Sequence, residues 1–554
     1  MRPLEGQDPA VSKPERLRQP AFRLQSRWEL VAALALTAII VSLHFVRFLK
    51  AGGLWRDEAA TAHLASAFSV QYVIHCAQFE LFPALVPGLM HVYGWVAGHS
   101  DAAFRSFGLL TGISILGVLW WNMWTLSRGV PLASLAVLGF NSVFIQWGDS
   151  VRGYGLGSTF ILLTAALLWR VLRRPEPRRM ALTALAGMAA VQCLFNNSVL
   201  LLALCFAAAI ILMRREQAQK AAFVLLLGVP AVLSLLPYLG PMRAVSGWDM
   251  LVRQPINFQF LGLKACEALS ASGWWGIPVW LLAMGSGVAV ALAGQSERVL
   301  ALNREQRELL LFAACGLLLG LGGYFVMLKA VSYPTRPWYY VAPMALAAMM
   351  LDFIFYALRG QRPVRLAGVL LVLFAAATLV PAWQQVRVRQ TNADLVAERL
   401  NRDTAKGDLV IVTPWYNGIS FNRYYRGPAA WVTIPPIESH EFHRYDLVKA
   451  EMILPDQNRP VQPILQKIEA TLKAGHRVWV AGRMGSTQPG EVPPTFRPAP
   501  EDQPRWNDEA YTGAWSAKVA GYLRASASQV KDIPIAAPGP VNPLENLSLR
   551  VFAE

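Results

Sequence analysis

The chain has 554 residues, 54% of them hydrophobic and 16% charged, with a formal net charge of +16. Its mean hydropathy is +0.35, and apolar runs of membrane length recur over the first two-thirds, so the reading is a polytopic membrane protein. Most Lys and Arg fall in short breaks between those runs, where the positive-inside bias puts them, so the charge argues for membrane topology and against nucleic-acid binding.

In chain order, the basic, Pro-containing segment 1–27 lacks the apolar core and cleavage site of a signal peptide and reads as a cytoplasmic tail. The first spanning run is 28–49. It is followed by Leu54-Trp55-Arg56-Asp57-Glu58-Ala59, two adjacent carboxylates and an arginine at a membrane surface. Charged groups at that depth tend to face cavities or pathways, although an acidic pair that ends a helix and meets water fits the same stretch. His63, His75, Glu80 and His91 follow. A His and carboxylate pair such as His75 and Glu80 suits a divalent cation (Mg or Mn), but no ligand spacing such as HExxH joins these residues, and ordinary loop histidines fit as well.

Further spanning runs are predicted at 103–126, 130–147, 154–172, 180–195, 198–213, 220–239, 274–294, 309–328, 337–358 and 364–382, which makes about eleven. The short apolar piece 81–98 is interrupted by Pro83, Pro87 and His91. If it does not span, the basic segments at 173–179, 214–215, 298–307 and 359–365 all share the side of the N-terminal tail. Segment 81–98 therefore reads as a re-entrant or interfacial helix within one long first exterior loop, 50–102. That topology puts Asp57-Glu58, Asp149-Ser150-Val151-Arg152-Gly153-Tyr154, Asn196-Asn197, the loop 240–273 and Tyr333-Pro334-Thr335-Arg336-Pro337-Trp338 on one exterior face.

Within this set, Asp57 is the candidate general base for a hydroxyl acceptor, with Glu58 orienting it or holding a metal; neighbours at i and i+1 on a helix do not face one another, so the two should have separate roles. Arg152 either pairs with Asp149 one turn away or faces the cavity and meets a phosphate, with Asp149 as a metal or sugar ligand and Tyr154 beside it. Arg336, stiffened by prolines on both sides and flanked by Trp338, Tyr339 and Tyr340, suits a lipid-phosphate clamp or a snorkelling interfacial arginine. Arg253 and Lys264 are weaker candidates for the phosphate, and Trp120, Trp121, Trp124, Trp274 and Trp275 read as interface anchors. Five scattered cysteines (Cys76, Cys193, Cys205, Cys266, Cys315) support neither a metal knuckle nor a disulfide framework, and three lie within apolar runs.

After Pro381 hydropathy falls. Residues 383–554 read as a soluble exterior α/β domain, with strand-like 408–414 and 477–482 preceded by helix-like 392–404 and 461–474, and a Pro/Gly-rich loop over 485–507.

Taken together, the Asp-Glu of WRDEA after the first span, a Pro-bearing amphipathic segment followed by Arg105, the Asp149, Arg152 and Tyr154 set, and Arg336 among aromatics resemble the GT-C superfamily of integral-membrane glycosyltransferases. The chain is similar to bacterial relatives of the dolichyl-phosphate-mannose protein mannosyltransferases and of the lipid A aminoarabinose transferase. ADLVAERL, DLVIVTP, RYY and RVWVAG in the tail resemble the exterior domains many of these proteins carry. The resemblance implies a GT-C-like 28–382 catalytic domain in a bacterial inner membrane, with its active site and C-terminal domain on the periplasmic side. It implies inverting transfer of a monosaccharide from a polyprenyl-phosphate donor to a lipid, polysaccharide or protein acceptor, with the first-loop Asp essential and Arg56, Arg152, Tyr154, Arg336 and Tyr339 as phosphate or sugar ligands. Two positions depart from the pattern: Glu80-Leu81-Phe82-Pro83-Ala84 stands where many relatives have Asp-x-His-Pro-Pro, and Asp149 precedes Arg152 by three residues where two is usual. A transporter or flippase for a lipid-linked glycan, or a membrane scaffold whose exterior domain binds partners, are the competing classes.

Overall fold

The computed structural model describes residues 27–127, 129–248, 253, 255–292, 302–359, 361–485, 495–501 and 507–554. Helix α1 (Arg27–Lys50) leads into three short helices, α2 (Arg56–Ser66), α3 (Val70–Glu80) and α4 (Leu85–Ala97), before the long α5 (Asp101–Ser127). Helices α6 (Leu132–Leu138), α7 (Ser142–Gly148), α8 (Gly153–Arg173), α9 (Pro177–Cys193) and α10 (Asn197–Arg214) follow, then α11 (Ala218–Leu226), α12 (Val229–Leu233), α13 (Leu239–Val245), α14 (Phe258–Leu269) and α15 (Gly276–Leu292). The membrane region closes with α16 (Arg304–Val331), α17 (Val341–Ala357) and α18 (Arg362–Val386).

Seven helices among the described residues are long and apolar enough to cross a membrane, and an eighth is present if the pair 218–233 and 236–245, bent by 41°, counts as one span. The other predicted runs fold differently. Run 130–147 is two short buried helices, because Asn141 stops the first and caps the second by accepting the Phe144 N–H at 3.0 Å. The start of α6 is capped from another helix: Asp352 Oδ1 accepts the N–H of Ala133 at 2.9 Å and of Ser134 at 3.2 Å. Run 180–195 becomes the 17-residue α9, and run 274–294 becomes α15, of which the apolar part is Gly276–Gly285; residues 293 and 294 lie outside the described residues. Helix α4, at 13 residues, is about 20 Å long against a hydrocarbon core of about 30 Å. It lies on α2 and exposes Leu89, Val92, Trp95 and Val96 along one face.

The C-terminal region holds α19 (Ala393–Asp403), α20 (Asn417–Tyr424), α21 (Tyr445–Met452), α22 (Gln462–Lys473) and α23 (Asp508–Ser526) around a five-stranded sheet. Its strands are β1 (Leu409–Thr413), β2 (Ala430–Thr433), β3 (Val478–Gly482), β4 (Gln529–Ile533) and β5 (Leu549–Ala553), in the order β2-β1-β3-β5-β4. The β2-β1-β3 part is parallel and the β3-β5-β4 part antiparallel. Alternate residues feed opposite faces: Leu409, Ile411, Val478 and Val480 pack with α22 and α23, whereas Val410, Val412 and Trp479 pack with α19 and α20. Both central strands are therefore buried without interruption, as covered parallel strands are.

The two regions are tied where the chain re-enters the first loop. Arg47 donates to Val388 O and Gln390 Oε1, both at 2.5 Å, and the Gln390 N–H donates to Ala51 O at 2.8 Å. Helix α8 runs from the Arg152 end to Arg173, so the pairs Arg173–Glu305 and Arg215–Glu308 sit at the opposite end of the bundle from the C-terminal domain.

The loop between α7 and α8 is pressed against α5, and glycine permits it. A Cβ on Gly108 would lie 2.0 Å from Asp149 O, whereas one on Gly117 of the same helix would meet nothing within 4 Å. Gly108→Ala is expected to destabilise the fold by about 2–3 kcal/mol through overpacking, and Gly117→Ala to stabilise it by up to about 1 kcal/mol. Thermal-unfolding midpoints of the two purified variants in detergent check this opposite sign.

Candidate active site

Helix α2 begins at the site. Trp55 is extended, Glu58 Oε2 accepts the Trp55 N–H at 3.4 Å, and alanines at 59, 60, 62 and 65 let the helix bury itself closely. Consecutive side chains on it diverge, and Asp57 and Glu58 enter different environments. Glu58 is buried, accepts Arg105 Nη1 at 2.6 Å and the Val151 N–H at 3.1 Å, and so joins the first loop to α5 and to the α7–α8 loop. Arg105 also donates to Gly53 O at 2.7 Å. Both Glu58 oxygens are taken, Oε1 by Arg105 and the Val151 N–H and Oε2 by the Trp55 N–H, so this carboxylate is not available as a metal ligand.

Asp57 is the more open carboxylate, with its side chain 16% exposed against 1% for Glu58 and for Glu80. Three cationic or basic groups surround it: Arg56 Nε at 3.7 Å, Arg152 Nη2 at 3.7 Å and His443 Nε2 at 3.4 Å. None makes a hydrogen bond to it. Arg152 is committed elsewhere, donating through Nη1 to Glu80 Oε2 at 2.8 Å, Thr61 Oγ1 at 3.0 Å and Asp57 O at 3.1 Å, while its guanidinium lies 4.0 Å over the Phe82 ring. It does not form the one-turn ion pair with Asp149 that its spacing allows. Asp149 instead sits below the site against His44 of α1, Oδ1 to Nδ1 at 2.6 Å, where it secures the loop rather than facing Asp57.

Glu80 joins the two regions. Its Oε1 accepts both the backbone N–H of His443 at 3.2 Å and His443 Nδ1 at 2.9 Å, while Oε2 takes Arg152. Burial works to raise its pKa, but His443 and Arg152 outweigh burial and hold it down at about 2. With one oxygen taken by the Arg152 guanidinium and the other by the backbone N–H and ring nitrogen of His443, Glu80 does not fit a divalent cation. His75 is exposed on α3 beside Gln78, away from Glu80, and no group of three His, Cys, Asp or Glu able to hold a metal occurs among the described residues.

Arg56 lies 4.3 Å from the Tyr416 ring centroid and 5.3 Å from that of Trp55, with Glu545 Oε1 3.6 Å from its Nε. Glu545 is fully buried, neither oxygen has a hydrogen-bond partner, and burial pushes its pKa up to about 7. The floor is aromatic: Trp55, Trp147 and Trp338 contact one another at centroid distances of 5.2, 5.7 and 4.2 Å, and Trp147 meets Tyr154 at 6.3 Å. Tyr154 and Tyr339 both lie within the electrostatic reach of Asp57 and Arg152, and Arg336, exposed at the rim, acts on Tyr339 as well. Lys264 is engaged with Glu267 on its own helix; of the four residues around Arg253, three lie outside the described set.

The structure thus brings Arg56, Asp57, Glu80, Arg152, Tyr154 and Tyr339 together, leaves Arg336 at the edge, and sets Glu58, Asp149 and His75 apart. Sequence reasoning missed His443, Glu545, Tyr416 and Tyr445, all from the C-terminal domain. The run Glu438-Ser-His-Glu-Phe-His-Arg-Tyr-Asp446, dense in titratable groups inside an otherwise ordinary α/β pattern, was the available signal for His443. Pro543-Leu-Glu-Asn546 gives none for Glu545.

No family model and no curated protein matches the chain. Among solved structures, ArnT from Cupriavidus metallidurans in the apo state aligns over 94% of this chain and 97% of its own, at 13% identity and a TM-score of 0.51. The chain shares the fold of that ArnT structure. ArnT bound to undecaprenyl phosphate aligns over 82% of this chain and 93% of its own with 13% identity and a TM-score of 0.49. The apo oligosaccharyltransferase of Archaeoglobus fulgidus aligns over 83% and 70% with 11% identity and a TM-score of 0.45.

Arg105→Ala strands a buried Glu58 carboxylate and is expected to lower stability by about 3–5 kcal/mol, read from thermal unfolding in detergent. For pH, the folded-state pKa of Glu80 lies below its ordinary value of 4.5, so its contribution is present above about 4.5 and lost as pH falls toward about 2. Glu545 has the opposite sign: its pKa is raised from 4.5, so stability is lost as pH rises from about 4.5 through about 7. Stability measured across that upper window should decline less in Glu545→Gln than in the wild type.

Proposed function

We propose that the chain is a membrane glycosyltransferase that moves a monosaccharide from a polyprenyl-phosphate donor, undecaprenyl or decaprenyl, to an acceptor hydroxyl at the extracytoplasmic face of a bacterial inner membrane. The observation that carries this reading is Asp57: a part-exposed carboxylate near two arginines, none of which is hydrogen-bonded to it, above an aromatic floor. A phosphate set between Arg56 and Arg152 would meet matched donors, because the Nε atoms of both arginines are buried and lack hydrogen-bond partners. Arg336 at the rim suits the approach of an anionic lipid headgroup, and Tyr154 and Tyr339 line the path inward.

In this reading the acceptor oxygen attacks the anomeric carbon from the face opposite the phosphate. Its proton passes to Asp57 as the new C–O bond forms, and the bond to the phosphate oxygen breaks with its electron pair on the phosphate. A single displacement inverts the anomeric centre. The leaving phosphate needs no general acid, since Arg56 and Arg152 stabilise its charge. The acceptor is a hydroxyl of a lipid, a polysaccharide or a protein, and the C-terminal domain, which supplies part of the site wall, lies on the same side of the membrane.

The test is sugar transfer in proteoliposomes charged with undecaprenyl-phosphate monosaccharides. Asp57→Asn is expected to lower kcat by roughly 10²–10⁴-fold with the thermal midpoint retained. Near wild-type turnover in that variant would remove Asp57 as base, and transbilayer movement of the lipid with no covalent product would replace the transferase with a transporter.

A further inference from the structure

The proton that Asp57 takes up must leave before the next turnover, and the geometry points to His443 as the group that receives it. We propose that His443, supplied by the C-terminal domain and oriented by Glu80, forms a proton relay with Asp57; this rests on the transferase reading above and extends it.

Glu80 Oε1 takes the His443 backbone N–H at 3.2 Å and Nδ1 at 2.9 Å, so main chain and ring are both fixed by one carboxylate. Glu80 is itself held by Arg152 and kept ionised, and an ionised carboxylate accepts only. Nδ1 must therefore carry the hydrogen, and in the neutral ring Nε2 is the bare nitrogen. That nitrogen is the one directed at Asp57, 3.4 Å from Oδ1. The side chain is 12% exposed, and the Tyr445 ring lies parallel to it at 6.2 Å. A base with one ring nitrogen tied to a buried carboxylate and the other turned to the reacting group is the arrangement by which an imidazole is held for proton transfer.

The balance is simple. The acceptor's proton goes to the Asp57 carboxylate while the sugar–phosphate bond breaks. It then moves from Asp57 Oδ1 to His443 Nε2, which restores the aspartate and leaves an imidazolium between Asp57 and Glu80, and from there it passes to water. His443 acts through Asp57 and is a positioning and relay residue. Asp57 from α2 and Glu80 from α3 face its ring nitrogens and the Tyr445 ring of α21 lies parallel to it, while Arg56 and Arg152 stand against those carboxylates and Glu545, from the loop before β5, against Arg56.

The experiment uses the full-length protein in detergent with undecaprenyl phosphate carrying glucose, mannose, galactose or N-acetylglucosamine, water standing in for the acceptor, and free sugar measured against pH. With whichever lipid the wild type turns over, His443→Gln is expected to lower kcat by roughly 10²-fold with KM little changed and to displace the acid limb of the kcat profile, which is then left to Asp57 alone. In His443→Ala, added imidazole is expected to restore kcat by about tenfold, a gain that a purely structural role would not give. The relay is overturned if kcat and the position of the acid limb are unchanged in His443→Gln while Asp57→Asn is inactive, and the transferase reading then stands. It is also overturned if activity falls in parallel with the thermal midpoint and imidazole restores nothing. If the wild type releases sugar from none of the four lipids while Asp57→Asn behaves identically to it, both readings fall.

Discussion

Glu80 is the residue on which the site depends. A carboxylate buried to 1% side-chain exposure persists as an anion only with compensating donors, and Glu80 draws those donors from two distant parts of the chain, Arg152 at the head of α8 and His443 in the C-terminal domain. Once Glu80 has oriented both, their remaining nitrogens converge on Asp57. Neither of them hydrogen-bonds the Asp57 carboxylate, which is more open to solvent than Glu58 or Glu80. Beside it the Nε atoms of Arg56 and Arg152 are buried without partners, and those unused donors mark where a ligand's charge belongs.

The membrane helices make this geometry rigid by holding the loops around it. Glu58 and Arg105 join the start of α2 to α5, the His44–Asp149 pair fastens the loop that carries Arg152, and Gly108 allows that loop to lie directly on α5. The C-terminal domain is part of the site rather than an appendage to it. Arg47 and Ala51 bind the connecting segment at 388–390, and Asp101 at the head of α5 pairs with Arg423. The same domain then delivers His443, Glu545, Tyr416 and Tyr445 against Arg56 and Asp57.

Much of the architecture was legible because hydropathy reports burial in lipid directly. The long apolar runs at 28–49, 154–172, 309–328 and 364–382 are helices that extend only a few residues further at their ends. Periodicity misjudged 130–147, where Asn141 and the cap from Asp352, more than 200 residues away, divide one apolar run into two helices. A composition window cannot see a cap that arrives from another helix. At the site, the short motifs placed Asp57, Arg152 and Tyr154 in one cluster because each lies at a helix start on the same end of the bundle. The motif spacing did not show that Arg152 belongs to Glu80 and Asp149 to His44, since those partners are 72 and 105 residues distant. The titratable run 438–446 could have flagged His443 and nothing flags Glu545, but the role of each depends on where the C-terminal domain docks, and no local pattern encodes that.

The central claim is that the space between Arg56, Asp57 and Arg152 receives a lipid phosphate. A structure of the protein with undecaprenyl phosphate in nanodiscs measures this most directly. The expected result is phosphate density in hydrogen-bond contact with Arg56 and Arg152, beside Asp57, with the prenyl chain leaving past Tyr339 and Arg336. Phosphate bound instead at the other end of the bundle, in the cavity of about 390 Å³ lined by Arg173, Arg215 and Lys220, would contradict it.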